Sequence, residues 1–202
     1  MKHTKTSRIY NPEPLPRKFW SNLTRPERSQ LLDLIIDNNL NSYLEIGVMR
    51  GGNLINIRRL LELNNKECEI VGYDCFELLR DCKPDHNTHT SGFLDKETVE
   101  NNVNKLNDCK VELVMGLSQN IESVFEKRTF DLIFHDADHS YEGVYNDLKI
   151  IKNVLSPEGY LCVHDAVKCE AFKAYEAIED LCEKKYYKKI AQHGTLATLK
   201  AL

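Results

Sequence analysis

The chain has 202 residues, 42% of them hydrophobic, which is enough for one substantial core and short for two. Lysine and arginine total 27 against 31 acidic residues, and the net charge of -4 argues against a nucleic-acid-binding surface and for a small-molecule partner. No apolar run is long enough to span a bilayer and no signal-peptide stretch follows Met1-Lys2-His3-Thr4-Lys5, so a cytoplasmic chain without membrane attachment is expected; seven cysteines lacking any C-x-x-C pair indicate reduced thiols.

Residues 1–23, with Pro12, Pro14 and Pro16, cannot hold a regular helix and read as an N-terminal arm, with Trp20 as its anchor. Such an arm is compatible with a homo-oligomer. From residue 24 to 202 we expect one domain. Thr24 to Glu27 is a capping box with Pro26 in the first turn, and it leads into the apolar stripe Leu31, Leu32, Leu34, Ile35 and Ile36 of a first helix. Short apolar strands near 43–48, 69–74, 111–115, 130–135 and 160–165 then alternate with helices near 53–63, 95–107, 118–126 and 141–155. This rhythm predicts a parallel sheet with helices on both faces. After a helix near 168–184, the segments Tyr186–Gln192 and Thr195–Lys200 are joined so tightly at His193-Gly194 that they must be antiparallel.

In such a sheet a ligand sits beyond the carboxyl ends of the strands, where strand order reverses. The first strand-to-helix loop reads Glu45-Ile46-Gly47-Val48-Met49-Arg50-Gly51-Gly52. Its G-x-x-x-G-G spacing differs from the G-x-G-x-x-G that cradles a pyrophosphate, and a carboxylate at Glu45 suits a cationic amino-acid ligand better than a diphosphate. Gly47 and Gly51 are the points of closest ligand approach. The second strand ends at Asp74, where a carboxylate can accept hydrogen bonds from both hydroxyls of a ribose; that fits any adenosine cofactor.

Phe130 to Phe134 is a buried strand that runs into His135-Asp136-Ala137-Asp138-His139-Ser140, and the next strand ends in His164-Asp165. If the two strands are neighbours, carboxylates and imidazoles converge on one edge of the sheet. Oxygen-rich ligand sets of this kind suit magnesium, manganese or calcium rather than zinc. The alternative is that Asp138 and Ser140 cap the following helix and that the histidines only satisfy strand-end backbone groups. The polar stretch 78–94, containing His86 and His89, reads as a lid-like insertion over the site.

Taken together, Leu44-Glu45-Ile46-Gly47, Gly72-Tyr73-Asp74-Cys75-Phe76-Glu77, Asp136 through Gly143, and Gly159 through Asp165 resemble class I S-adenosylmethionine-dependent methyltransferases, in the group related to macrolide-sugar O-methyltransferases and cephalosporin-biosynthesis methyltransferases. The resemblance implies a Rossmann-like α/β fold: a seven-stranded, mostly parallel sheet with an antiparallel last strand. It implies that Glu45 and Gly47 meet the methionine end of the cofactor, Asp74 its ribose, and Gly116-Leu117-Ser118 its adenine. It further implies that Asp136, at the cofactor edge, and Asp165 hold a divalent metal (Mg or Mn), and that His139 is the general base. Metal-dependent relatives flank the second aspartate with another ligand; here the neighbours are His164 and Ala166, so His164 is the candidate nitrogen ligand. Adjacent strand residues normally face opposite ways, which sets His164 against that role.

The expected reaction is transfer of the sulfonium methyl to a hydroxyl of a small-molecule or carbohydrate acceptor. Two other readings fit parts of the pattern: an NAD-dependent oxidoreductase, favoured by Asp74 but not by the glycine spacing, and an inactive cofactor-binding partner subunit.

Overall fold

A computed structural model describes residues 8–10, 21–76, 94–104 and 111–202. Trp20, His86, His89, most of the N-terminal arm and most of the 78–94 insertion lie outside the described residues. Helix α1 (Arg25–Asp37) precedes β1 (Ser42–Ile46), α2 (Gly52–Leu63), β2 (Glu69–Asp74), α3 (Lys96–Asn104), β3 (Glu112–Met115), a 3-10 turn at Ser118–Asn120 running into α4 (Ile121–Val124), β4 (Phe130–His135), α5 (Tyr141–Ile151), β5 (Leu155–Val163), α6 (Ala174–Glu183), β6 (Tyr187–His193) and β7 (Leu196–Ala201). The seven strands form one sheet in the order β3-β2-β1-β4-β5-β7-β6. All neighbours from β3 to β5 pair in parallel, while β7 pairs antiparallel with both β5 and β6. The expected mostly parallel sheet with an antiparallel last strand is therefore present, and that strand lies inside the sheet.

The two faces carry separate apolar layers, as a sheet with helices on both sides requires. One packs Leu31, Leu32 and Ile35 of α1 and Leu54, Ile57 and Leu61 of α2 against Tyr43, Leu132 and Cys162. The other packs Val144, Leu148 and Ile151 of α5 and Ala177, Ile178 and Leu181 of α6 against Leu44, Ile133 and Leu161. The apolar positions of α5 recur at helical spacing and are all buried. Within the described residues no helix is long and apolar enough to cross a membrane.

Three boundaries differ from expectation. Helix α5 ends at Ile151 rather than near 155, and β5 starts at Leu155 because the pairing jumps from Phe130–Leu155 to Leu132–Tyr160. Ser156 to Gly159 bulge out between, with the Ser156 hydroxyl on Asp131, and a bulge is where a strand tolerates proline. Helix α6 begins at Ala174 rather than near 168, after an irregular loop.

The described part of the arm is held at residues 8–10. Arg8 pairs with Asp33 and Asp37, the Tyr10 hydroxyl donates to Asp33, and Ile9 exchanges two hydrogen bonds with the Asn64 side chain.

Candidate active site

Four strands end in step. Tyr73 of β2 is level with Ile46 of β1, Ile46 with His135 of β4, and His135 with Val163 of β5. The next residue on each strand is Asp74, Gly47, Asp136 and His164. The ladder continues through three of them: Gly47 N–H donates to Tyr73, Asp136 N–H to Ile46, and His164 N–H to His135. Strand register thus brings distant motifs into one row, at the β1/β4 boundary where strand order reverses.

Gly47 turns the chain there at φ +89°, and a Cβ would lie 2.0 Å from the Asp136 carbonyl oxygen. The glycine is required by the protein's own β4 loop as much as by any ligand. Gly51, also left-handed, is the N-cap of α2 and supplies no side-chain cap. Asp74 ties the loop down. Its Oδ2 accepts from Val48 N–H at 2.6 Å and Met49 N–H at 2.9 Å, and its Oδ1 accepts from Phe76 N–H at 2.9 Å. Asp74 thus caps the turn after β1, and Oδ1, with one amide, is the oxygen with room for a further donor.

Glu45 lies beneath the loop, buried, with Oε2 accepting from the Tyr43 hydroxyl at 2.9 Å and from Asn53 Nδ2 at 2.7 Å. Burial is the largest influence on its carboxyl; against the Asn53 and Tyr43 bonds, and helped by Asp136 and Asp74, it pushes the pKa up to about 8. At the far side of the row, Gly116 is packed so closely on Tyr73 that a Cβ would meet its hydroxyl at 2.2 Å. That hydroxyl donates to the Leu117 carbonyl and fixes the turn that begins at Ser118.

The acidic and histidine cluster converges as the sequence suggested. His139 Nε2 lies 3.4 Å from Asp136 Oδ1 and 3.2 Å from Asp165 Oδ2. His164 Nδ1 lies 3.2 Å from Asp136 Oδ1 and 3.6 Å from Asp165 Oδ2. The objection to His164 does not apply, because β5 ends at Val163 and Asp165 takes a left-handed φ of 50°, turning both side chains to the same place. Yet ligand-type atoms within 4.8 Å of one another come from Asp136, His139 and Asp165. His139, not His164, completes that group, and His164 backs Asp136.

Charge is shared tightly here. Burial would raise Asp136, but hydrogen bonds from His139 and His164 hold it well below the usual carboxylate range. Burial would lower His139, but Asp136 and Asp165 outweigh it and raise the imidazole to about 9. His164 is raised in the same way, chiefly by Asp136. Ser140 is also a helix cap, its hydroxyl accepting from Gly143 N–H, so the capping expected of this stretch is present beside the cluster.

Three contributors escape sequence reasoning. Phe172 packs obliquely on the His139 ring at 4.9 Å, and Lys173 N–H donates to the His139 carbonyl, so the loop after β5 holds His139 at both ring and backbone. Glu27 of α1 stands 3.9 Å behind His164 Nε2. The position of the β5 loop at the ligand edge hints at the first two; nothing local points to the third. His135, last in β4, turns away to pair with buried Asp147 of α5 at 3.0 Å.

No curated protein matches this chain. Among solved structures, the O-methyltransferase NovP superposes with a TM-score of 0.66 at 19% identity, covering 86% of this chain and 77% of NovP. TomG of Streptomyces achromogenes, an O-methyltransferase of tomaymycin synthesis in complex with S-adenosylmethionine, gives 0.62 at 14% identity, covering 89% and 81%. CalS11, a TDP-rhamnose 3'-O-methyltransferase of calicheamicin biosynthesis, gives 0.53 at 17% identity, covering 87% and 82%. At these identities the likeness establishes the fold. The sequence profile described as "Methyltransferase domain" matches residues 44–166, from the middle of β1 into the loop after β5, and the chain belongs to that methyltransferase family.

Proposed function

We propose that the chain is an S-adenosylmethionine-dependent O-methyltransferase acting on a hydroxyl of a small molecule or sugar, with a divalent cation at Asp136 and Asp165. The observation that carries this is the cluster of Asp136, His139 and Asp165, whose Asp136 stands level with Gly47 in the row of strand ends. Two carboxylates and one imidazole fit magnesium or manganese. NovP, TomG and CalS11, named as O-methyltransferases, support the reaction class, and CalS11 supports a sugar acceptor. The cofactor's methionine end is assigned to Glu45, Gly47 and Gly51, its ribose to Asp74, and its adenine to Gly116 and Ser118.

The acceptor oxygen attacks the sulfonium methyl carbon in line; the O–C bond forms as the C–S bond breaks and its electron pair goes to sulfur. A dication on the two carboxylates would cancel the charge that keeps His139 protonated, and the neutral imidazole, held by Phe172 and the Lys173 amide, would then take the hydroxyl proton. Asp136 and Asp165 would hold the dication, and its positive charge would favour deprotonation of the acceptor hydroxyl. The enzyme's remaining contribution is to hold donor and acceptor in line.

A second role for His139, as the third cation ligand, is favoured by its nearly equal distances to the two carboxylates. One variant decides between them. If His139 is the base, His139→Ala keeps Mn2+ binding by electron paramagnetic resonance and loses about 10²–10⁴-fold in methyl transfer; lost Mn2+ binding makes it a ligand. Calorimetry with S-adenosylhomocysteine and NAD tests the cofactor, and binding of NAD alone overturns the proposal. Inactivity toward nucleotide-sugars, phenols and catechols with Mg2+ or Mn2+ present turns the reading to an inactive cofactor-binding subunit.

A further inference from the structure

The acidic and histidine cluster has a front and a back. The side chains of His139, Asp136 and Asp165 keep 16%, 18% and 18% of their surface open to solvent, whereas those of His164 and Glu27 keep 6% and 1%. His164 therefore lies on the protein side of Asp136, and Glu27 lies behind His164. The His164 imidazole stands between two carboxylates. Its Nδ1 is 3.2 Å from Asp136 Oδ1, and its Nε2 is 3.9 Å from Glu27 Oε2, a charge contact beyond hydrogen-bond reach.

Asp136 Oδ1 meets both imidazoles, but only one of them is free to stay there. His139 faces the open side and is needed as base or third ligand, so its contact with Asp136 changes when a cation or an acceptor arrives. His164 has no such duty, and its Nδ1 donates, since a carboxylate oxygen can only accept. The second carboxylate is anchored to the same Glu27 by another route. Glu27 Oε1 accepts from the Thr195 amide and hydroxyl, and the Thr195 carbonyl accepts at 2.8 Å from the N–H of Ala166, the residue after Asp165. That bond holds the chain just past the left-handed φ of 50° that turns Asp165 toward the cluster.

We propose that His164 is a positioning residue of the cation site, donating from Nδ1 to fix the Asp136 carboxylate, with Glu27 as the common anchor behind Asp136 and Asp165. This rests on the divalent cation of the proposed function and adds to it two buried residues, neither of them a ligand. Carboxylates that bind a metal are themselves oriented by such hydrogen bonds, and loss of one weakens metal binding by about 10- to 100-fold.

Because Glu27 also joins α1 to the turn between β6 and β7, the test is made at His164. Mn2+ affinity is measured by electron paramagnetic resonance on the full chain, with urea midpoints taken alongside. His164→Leu should weaken Mn2+ by about 10- to 100-fold. His164→Asn, whose Nδ2 falls where Nδ1 stood, should recover affinity to within about threefold of wild type; His164→Gln, whose donor falls at the Nε2 position, should not. A merely structural role would give the Asn and Gln variants the same affinity, so this pair decides the matter even where Leu prevents folding. Wild-type affinity in every variant, or equal losses with Asn and Gln, overturns the inference and leaves the cation reading standing. If the unaltered protein binds no Mn2+, both fall together.

Discussion

Glu27 and Glu45 are each only 1% exposed, yet the protein treats them in opposite ways. Glu27 joins the start of α1 to the turn between β6 and β7. Its Oε2 accepts the Thr24 amide and hydroxyl, and its Oε1 accepts the Thr195 amide and hydroxyl, at 2.7 to 2.8 Å. Burial favours the neutral acid, but these four donors outweigh it and lower the pKa. Glu45 has two donors, both on one oxygen, and two nearby carboxylates, so burial prevails and its pKa rises to about 8. Donor count, rather than burial, decides whether an interior carboxylate carries charge. Glu27, with its lone pairs filled, joins two elements; Glu45, short of donors, is the carboxyl that the proposed function sets against the methionine end of the cofactor.

The largest effect that sharpens this contrast is on global stability. Glu27→Ala strands four donors at the α1 and hairpin junction and should cost roughly 3–5 kcal/mol in urea unfolding at neutral pH. Glu45→Gln, which keeps an oxygen for Tyr43 and Asn53, should fall within about 1 kcal/mol of wild type at pH 6. Equal losses from the two would erase the distinction.

Next in size is the dependence on pH, which should have opposite sign at the two sites. Because the Glu27 pKa is lowered on folding, its contribution is present above its ordinary value of 4.5 and is lost as pH falls through the folded value. The Glu45 pKa is raised, so its contribution is full below 4.5 and is lost as pH climbs through about 8. Stability curves from pH 4 to 9.5 should therefore show Glu45→Gln overtaking wild type on the alkaline side, by on the order of a few kcal/mol. A constant offset between the two curves would mean that Glu45 is ionised throughout.

The smallest test addresses the turn itself. Gly194 has φ +57°, and a Cβ there would sit 2.8 Å from Glu27 Oε1. Gly194→Ala should cost about 1–2 kcal/mol in chemical denaturation, part of it strain and part the clash. Combined with Glu27→Ala, the clash disappears, so the double variant should be more stable than the sum of the two single losses predicts.

The same contrast explains what the sequence discloses. The capping box at Thr24 and Glu27 is a local pattern and is legible; the bond from Glu27 to Thr195 spans 168 residues and has no local signature. Alternating apolar segments reveal the strands because their burial is periodic, whereas the β5 start is hidden by Pro157 and Gly159, which read as a turn and form a bulge. The motif residues at Gly47, Asp74, Asp136 and Asp165 are readable because strand ends supply them. Phe172 comes from an irregular loop, where no periodicity marks which side chain turns inward. For Asp74 the sequence shows the carboxylate but not its three amide partners.

Strand β7 bears on how the polypeptide is made. It lies between β5 and β6, so the latest of the described strands to leave the ribosome is inserted between two that emerged before it. Until it arrives, β5 has an open edge next to Val163, and Glu27 lacks Thr195. Vectorial synthesis therefore cannot finish this sheet strand by strand in chain order, because β6 joins it only through β7, the later strand of its own hairpin.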